Sequence, residues 1–188
     1  MASLVLLNGP PASGKSTVAT RLVERRPLAL NLDIDAIRSQ LGGWQHDPQR
    51  AGVTARRLAV TAARAHLQAG HDVVVPQFLG RVEFIEQLAA LASDCGAAFV
   101  ELMLQIDLAD ARHAFEARSA APQRQTHRDA AALVAASDSQ DPLGDMHAAA
   151  AHVVTLRPAT RLVPTARNDI DATLDRVLAE LADAKVSW

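Results

Sequence analysis

Residues Gly9-Pro-Pro-Ala-Ser-Gly14-Lys15-Ser16 spell the pattern G-x-x-x-x-G-K-[ST]. The apolar run Leu4-Val-Leu-Leu7 precedes them, and Thr17-Val-Ala-Thr-Arg-Leu-Val23 follows with helical spacing. A buried strand, a glycine-bearing turn and a helix, in that order, make the context in which this pattern is a phosphate loop. Such a loop wraps backbone N–H groups around anionic oxygens, and Gly9 and Gly14 supply the backbone angles and the close approach. The helix that begins at its end presents unpaired N–H groups and a partial charge of about +0.5 to the same anion. Lys15 is a point charge able to follow transferring phosphates, and the Ser16 hydroxyl is placed for Mg²⁺. The chain has only two lysines, Lys15 and Lys185, so a lysine here is not background composition. Gly9, Pro10, Pro11, Ala12, Ser13, Gly14, Lys15, Ser16 and Thr17 are the expected nucleotide-phosphate contacts.

The remaining strand and helix patterns fit around this unit. Leu28–Leu32 reads as a second strand running into Asp33-Ile-Asp35, and Ala36–Leu41 as a short helix stopped by Gly42-Gly43. Residues 49–68 carry Val53, Leu58, Val60 and Leu67 among alanines at helical spacing. Val73-Val-Val75 suits a strand covered on both faces. Val82–Ser93 is a helix with Phe84, Ile85, Leu88 and Leu91 inward, Ala97–Ile106 a fourth strand, and Asp107 to about Ala117 a helix. Arg118–Arg128 is polar and arginine-rich, which predicts a mobile lid. Helices at 129–136 and 145–156, a fifth strand at 160–164 and a terminal helix at 170–184 complete the chain. Strands alternating with helices predict an α/β domain over residues 1–188, with a parallel sheet, helices on both faces and the ligand beyond the strands' C-terminal ends.

Composition excludes some classes. With 19 Lys and Arg against 21 Asp and Glu, net charge is −2, which disfavours a dedicated nucleic-acid binder. One cysteine, Cys95, cannot form an internal disulfide, and no apolar run is long enough to span a bilayer. The expectation is a cytoplasmic protein with a small-molecule partner. The seven histidines lack zinc-ligand spacing. Arg25-Arg26 and Arg56-Arg57 read as solvated helix faces.

The C-terminal ends of the first three strands bring further groups to the loop. Asp33 and Asp35 are two apart, and in extended backbone they project the same way. One of them, beside Ser16, can hold a Mg²⁺-bound water, and the other can accept a hydroxyl proton. Capping of the following helix is the alternative use of either aspartate. Arg38 lies one turn beyond Asp35. Trp44 and Phe78 are candidate walls of an acceptor pocket, and Gln77 and Arg81 flank the loop after strand three. Arg118, Arg124 and Arg128 are lid candidates; Arg118 is best placed to stack on a base and touch phosphate.

Leu7-Asn-Gly-Pro-Pro-Ala-Ser-Gly-Lys-Ser16, Asp33-Ile-Asp-Ala-Ile37, Phe78-Leu-Gly80 and Arg118 together resemble the small P-loop kinases related to chloramphenicol phosphotransferase. AAA-type, gluconate-kinase, zeta-toxin-type and adenylate-kinase proteins are more distant relatives. The resemblance covers most of residues 3–120 and, more weakly, the turn Pro164-Thr-Ala-Arg167. It implies a five-stranded sheet in order 2-3-1-4-5, Asp35 as the base for an acceptor hydroxyl, Arg118 in a lid over ATP, and Arg167 near adenine. The subgroup carries acidic residues at the end of strand three, where this chain has Pro76-Gln77, so that Asp33, with Ser16, is expected to take over the help to Mg²⁺ lost from that position; both the lid and the acceptor loop 42–50 differ.

The resulting expectation is an ATP- and Mg²⁺-dependent kinase acting on the hydroxyl of a small molecule of antibiotic or metabolite type. The alternatives are a nucleotide, nucleotide-sugar or nucleic-acid-end kinase, and a non-catalytic ATP-binding regulator or toxin partner. The pocket between Asp35 and Arg81 discriminates among acceptors: converging arginines favour an anionic one, an apolar wall a neutral one.

Overall fold

The computed structural model describes residues 1–165 and 169–188. Its centre is strand β1 (Ser3–Asn8), every residue of which is buried. β1 pairs in parallel with β3 (Val73–Pro76) on one side and β4 (Ala98–Gln105) on the other. Short β2 (Leu30–Asn31) and β5 (Arg161–Pro164) form the edges, giving the order β2-β3-β1-β4-β5. This is the order expected, in a P-loop kinase-like fold.

The pleat explains why both faces of the sheet are covered, because alternate residues of a strand point to opposite sides. Leu4, Leu6, Val73 and Val75 face one core, shared with α3 (Pro48–Gln68), α4 (Val82–Asp94) and α7 (Pro142–Leu156). Val5, Leu7 and Val74 face a second, filled by Val18 and Leu22 of α1 (Lys15–Val23) and Leu174, Val177 and Leu181 of α8 (Ile170–Asp183).

Several local readings change. The second strand is only two residues long, because Leu28 sits at φ +62° and is exposed, turning the chain instead of extending it. On α3 the buried stripe is Ala51, Ala55, Ala59, Ala63 and Leu67, while Val53 and Leu58 are about half exposed. Small side chains at i, i+4 spacing let the helix axis approach its neighbours closely, so alanine, not the larger residues, marks the inner face.

The stretch 118–128 is largely helical. α5 runs Leu108–Ala120 and contains Arg118 in its last turn; after a short loop, α6 begins at Gln125 and ends at Ala135. α6 touches both α5 and α2 (Ile34–Ser39). No helix among the described residues is long and apolar enough to cross a membrane.

Candidate active site

The loop between β1 and α1 has the shape its glycines demand. Gly9 lies at φ +148°, and a Cβ there would stand 2.7 Å from the Leu104 carbonyl oxygen and 2.8 Å from Ser13 Oγ. Gly14 sits at φ +88°, and Ala12 also adopts a positive φ of 64°. The Lys15 ammonium folds back into the loop, donating to the Pro10 carbonyl at 2.8 Å and to Ser13 Oγ at 3.3 Å. α1 has no side-chain cap, and the N–H groups of Gly14, Lys15 and Ser16 have no backbone acceptor among the described residues. Those orphan donors, with a cation at their centre, constitute an anion cradle.

The cradle is braced from behind by Asn8, a buried residue that motif reading passes over. Its Oδ1 accepts from the N–H groups of Gly9 at 2.8 Å and Leu79 at 2.9 Å, and its Nδ2 donates to the Leu79 carbonyl at 3.0 Å. One side chain thus joins the phosphate loop to the segment after β3. An asparagine ending an apolar strand is the signal that could have revealed it.

Asp33 and Asp35 do not share a pleat, because the helix starts between them. Asp33 is the N-cap of α2, its Oδ1 accepting from Asp35 N at 3.0 Å and Ala36 N at 3.1 Å. The capping alternative therefore holds for Asp33, which leaves Oδ2 without a hydrogen bond among the described residues. Burial raises its pKa, assisted by the Asp35 charge and opposed by the two capping N–H groups and Arg124. Asp35, in the first turn of α2, is paired with Arg38 at 2.9 Å and accepts from Gln77 Nε2 at 3.4 Å.

The electrostatics show which groups share one space. Burial lowers the Lys15 pKa from 10.5 to about 7, with Arg118 acting in the same direction and Asp35 and Asp33 opposing the shift. Arg118 lies over Phe115, 5.2 Å from its ring centroid, with Nε buried and unpartnered among the described residues. Burial holds its pKa below the usual value. The His127 pKa is likewise lowered, by burial first and then by Arg118 and Arg124. Lys15, Asp33, Asp35 and Arg118 thus lie within electrostatic reach of one another beside the loop, and Arg124 reaches Asp33.

On the acceptor side, a small notch of about 50 Å³ is lined by Asp35, Arg38, Gln77 and Phe78, and by Gly52 and Arg56 of α3. Trp44 is buried behind Arg38, whose guanidinium carbon lies 5.0 Å from its ring centroid. One expectation is corrected: Arg81 is exposed at the start of α4 and does not line the notch. Arg56 is exposed, as expected of a solvated helix face, and it also lines the notch, a placement the sequence reading did not give it. Gly52, four residues before Arg56 and costly in a helix interior, was the available signal.

On the other flank, a cleft of about 910 Å³ runs from Ala12–Gly14 between α5 and α7 to Thr165, Asp169 and Ile170. Small residues, Ala114, Ala117, Ala150 and Ala151, keep it open. Pro11 and Thr17 do not line it, and Thr17 is exposed. Arg167 lies outside the described residues. No group of three or more His, Cys, Asp or Glu side chains among the described residues is placed to hold a metal.

A family model described as AAA domain (AAA_33) matches residues 4–143. A search of curated proteins found no match. Three solved structures illustrate the fold likeness. Chaetomium thermophilum Kti12 in complex with ADP-AlF3 is 18% identical with TM-score 0.64, over 96% of this chain and 98% of that one. Mycobacterium tuberculosis APS kinase CysC, in complex with AMPPNP and APS, is 22% identical with TM-score 0.62, over 96% and 98%. The Deinococcus radiodurans tunicamycin resistance protein is 18% identical with TM-score 0.60, over 96% of both chains.

Proposed function

The chain belongs to this AAA domain family, and from that premise we propose that it is a phosphotransferase moving the γ-phosphoryl group of ATP to the hydroxyl of a small molecule. The observation that carries the reading is the grouping of Lys15, Arg118, Asp33 and Asp35 before a loop whose Gly14, Lys15 and Ser16 N–H groups have no backbone acceptor among the described residues. In this reading the Gly9–Ser16 loop and Lys15 hold the phosphates, and the nucleobase lies in the cleft toward Thr165 and Asp169. Arg118 and Arg124 supply positive charge where negative charge develops on the transferring group.

Asp35 takes the proton from the acceptor hydroxyl. The freed oxygen pair attacks the γ-phosphorus, and the bond from that phosphorus to the β,γ-bridging oxygen breaks. ADP leaves with that electron pair. A bound Mg²⁺ would screen phosphate charge; the Ser16 hydroxyl and the uncommitted Oδ2 of Asp33 are the groups that would hold it, directly or through water. The donor set fits such an ion, because one or two protein ligands suffice where substrate phosphates supply the others, and because a buried carboxylate of raised pKa gains most from a nearby cation.

The deciding experiment replaces Asp35 with Asn. Expected is a loss of transfer of about 10²–10⁴-fold, the usual worth of a positioned base, with ATP binding retained. Unchanged turnover removes Asp35 from the mechanism. ATP binding without transfer to any alcohol by the unaltered protein would make the chain a regulator.

A further inference from the structure

If the chain is the phosphotransferase proposed above, the notch beside Asp35 names the class of its acceptor. Arg38 and Arg56 come from different helices and line that one notch. Each guanidinium rests on an aromatic ring: Arg38 lies 5.0 Å from the Trp44 centroid, and Arg56 lies 5.8 Å from that of Phe84. A ring beneath a guanidinium holds its plane and leaves the N–H edge for a ligand.

The charges in the notch do not balance. Among the described residues Arg38 has one carboxylate partner, Asp35, and its buried Nε has no hydrogen bond. Arg56 forms no ion pair among the described residues. Two guanidinium groups thus face one carboxylate. Water meets that surplus at Arg56, which is exposed; a neutral alcohol adds no charged acceptor, whereas an anion matches the surplus and can engage both forks.

We propose that the acceptor carries an anionic group, carboxylate or phosphate, beside its reacting hydroxyl, and that Arg38 and Arg56 hold it. The notch volume of about 50 Å³ suits one such group and not a whole substrate, which extends from it toward the phosphate loop. The incoming anion meets Arg38 on the guanidinium that also pairs with Asp35. The proton then moves from the acceptor hydroxyl to Asp35 as described above.

The test uses matched probes on the MgADP-saturated protein with ¹⁵N-labelled arginine: glycerate and glycerol 3-phosphate against glycerol, an aldonic acid against its aldose, and a nucleoside monophosphate against its nucleoside. Expected is that at least one acid shifts the Arg38 and Arg56 Nε–H resonances saturably while its neutral counterpart does not. Arg56→Gln should weaken that acid about tenfold or more, the scale of a lost charge-assisted hydrogen bond. Thermal unfolding checks that the variant is folded. The carboxylate and phosphate arms identify which anion is preferred.

The same pairs are then offered as acceptors with ATP. Equal binding and transfer for acid and neutral members overturns the anion assignment and leaves the kinase reading standing. Absence of any arginine shift with every acid also overturns it. Saturable binding of acids without movement of phosphate from ATP overturns the kinase reading and leaves the anion site standing.

Discussion

Nucleotide binding should draw a proton from solution, and Lys15 sets how much. Its pKa in the ligand-free protein is about 7, chiefly because of burial. At pH 8 that leaves the ammonium about one-tenth protonated. A phosphate drawn into the cradle favours the charged form, so binding restores the proton and takes up about 0.9 per site at pH 8, against about 0.1 at pH 6. Linkage then weakens the apparent affinity about tenfold between pH 6 and pH 8. The same residue affects the unliganded fold in the opposite sense. Its folded pKa lies below the unfolded 10.5, so its destabilising contribution is full below about pH 7 and fades as pH rises toward 10.5. Isothermal titration with MgADP, in two buffers of different ionisation enthalpy, gives proton uptake directly, and Lys15→Met gives the blank. Uptake near zero at pH 8 in the unaltered protein would refute the argument, since it would mean that the lysine is already charged in its buried position.

Three further outcomes test the architecture of the site. Gly9→Ala should cost about 1–3 kcal/mol from backbone strain alone, with a further penalty from the 2.7 Å approach to the Leu104 carbonyl oxygen; chemical denaturation and ADP affinity together measure it. Asn8→Ala removes the acceptor of two buried N–H groups and should lower stability by about 1–3 kcal/mol per stranded group; a loss of only a few tenths of a kcal/mol, on the order of an ordinary surface change, would show that water replaces the side chain. Asp33→Asn keeps a good N-cap whereas Asp33→Ala loses about 1 kcal/mol; if both variants unfold alike, the cap contributes nothing. If the Asp33→Asn variant is as stable as the natural protein yet needs far more Mg²⁺ for turnover, the free oxygen of Asp33 has its assigned role.

The parts of the molecule legible in the sequence are those whose structure is local. The apolar run at Leu4–Leu7 and the glycines at 9 and 14 dictate their own backbone, and the strand order followed from the resemblance carried by the same residues. The acceptor side was harder because it depends on helix orientation. Alanine is compatible with either face of a helix, so Ala51, Ala55, Ala59 and Ala63 did not announce themselves as buried, and helical spacing alone did not place the exposed Arg56 at the rim of the notch. Arg118 was legible as a group near the phosphates, but the polar stretch 118–128 read as loop, whereas its start completes α5 and Gln125–Arg128 opens the helix expected only from Asp129. The pleat argument for Asp33 and Asp35 failed for a single local reason: the helix begins at Ile34, where extended backbone was assumed.

The difference between the two halves of the site has a mechanistic consequence. The phosphate half is made largely of backbone, and Asn8 ties it to Leu79, two residues beyond the Gln77 that contacts Asp35. The loop and the floor of the acceptor notch therefore belong to one braced block, and the distance between them is not the adjustable quantity. Arg118 and Arg124 come from a separate unit, the α5–α6 pair, which rests on α2 through α6. Several polar atoms there are buried and, among the described residues, unpartnered: Arg118 Nε, Ser119 Oγ, His127 Nδ1 and Asp129 Oδ2. Such atoms cost free energy until they find partners, and the acceptor notch carries two more, Arg38 Nε and Gln77 Oε1; unsatisfied groups thus flank the phosphate loop on both sides, while the loop itself is tied down by the paired Asn8 side chain.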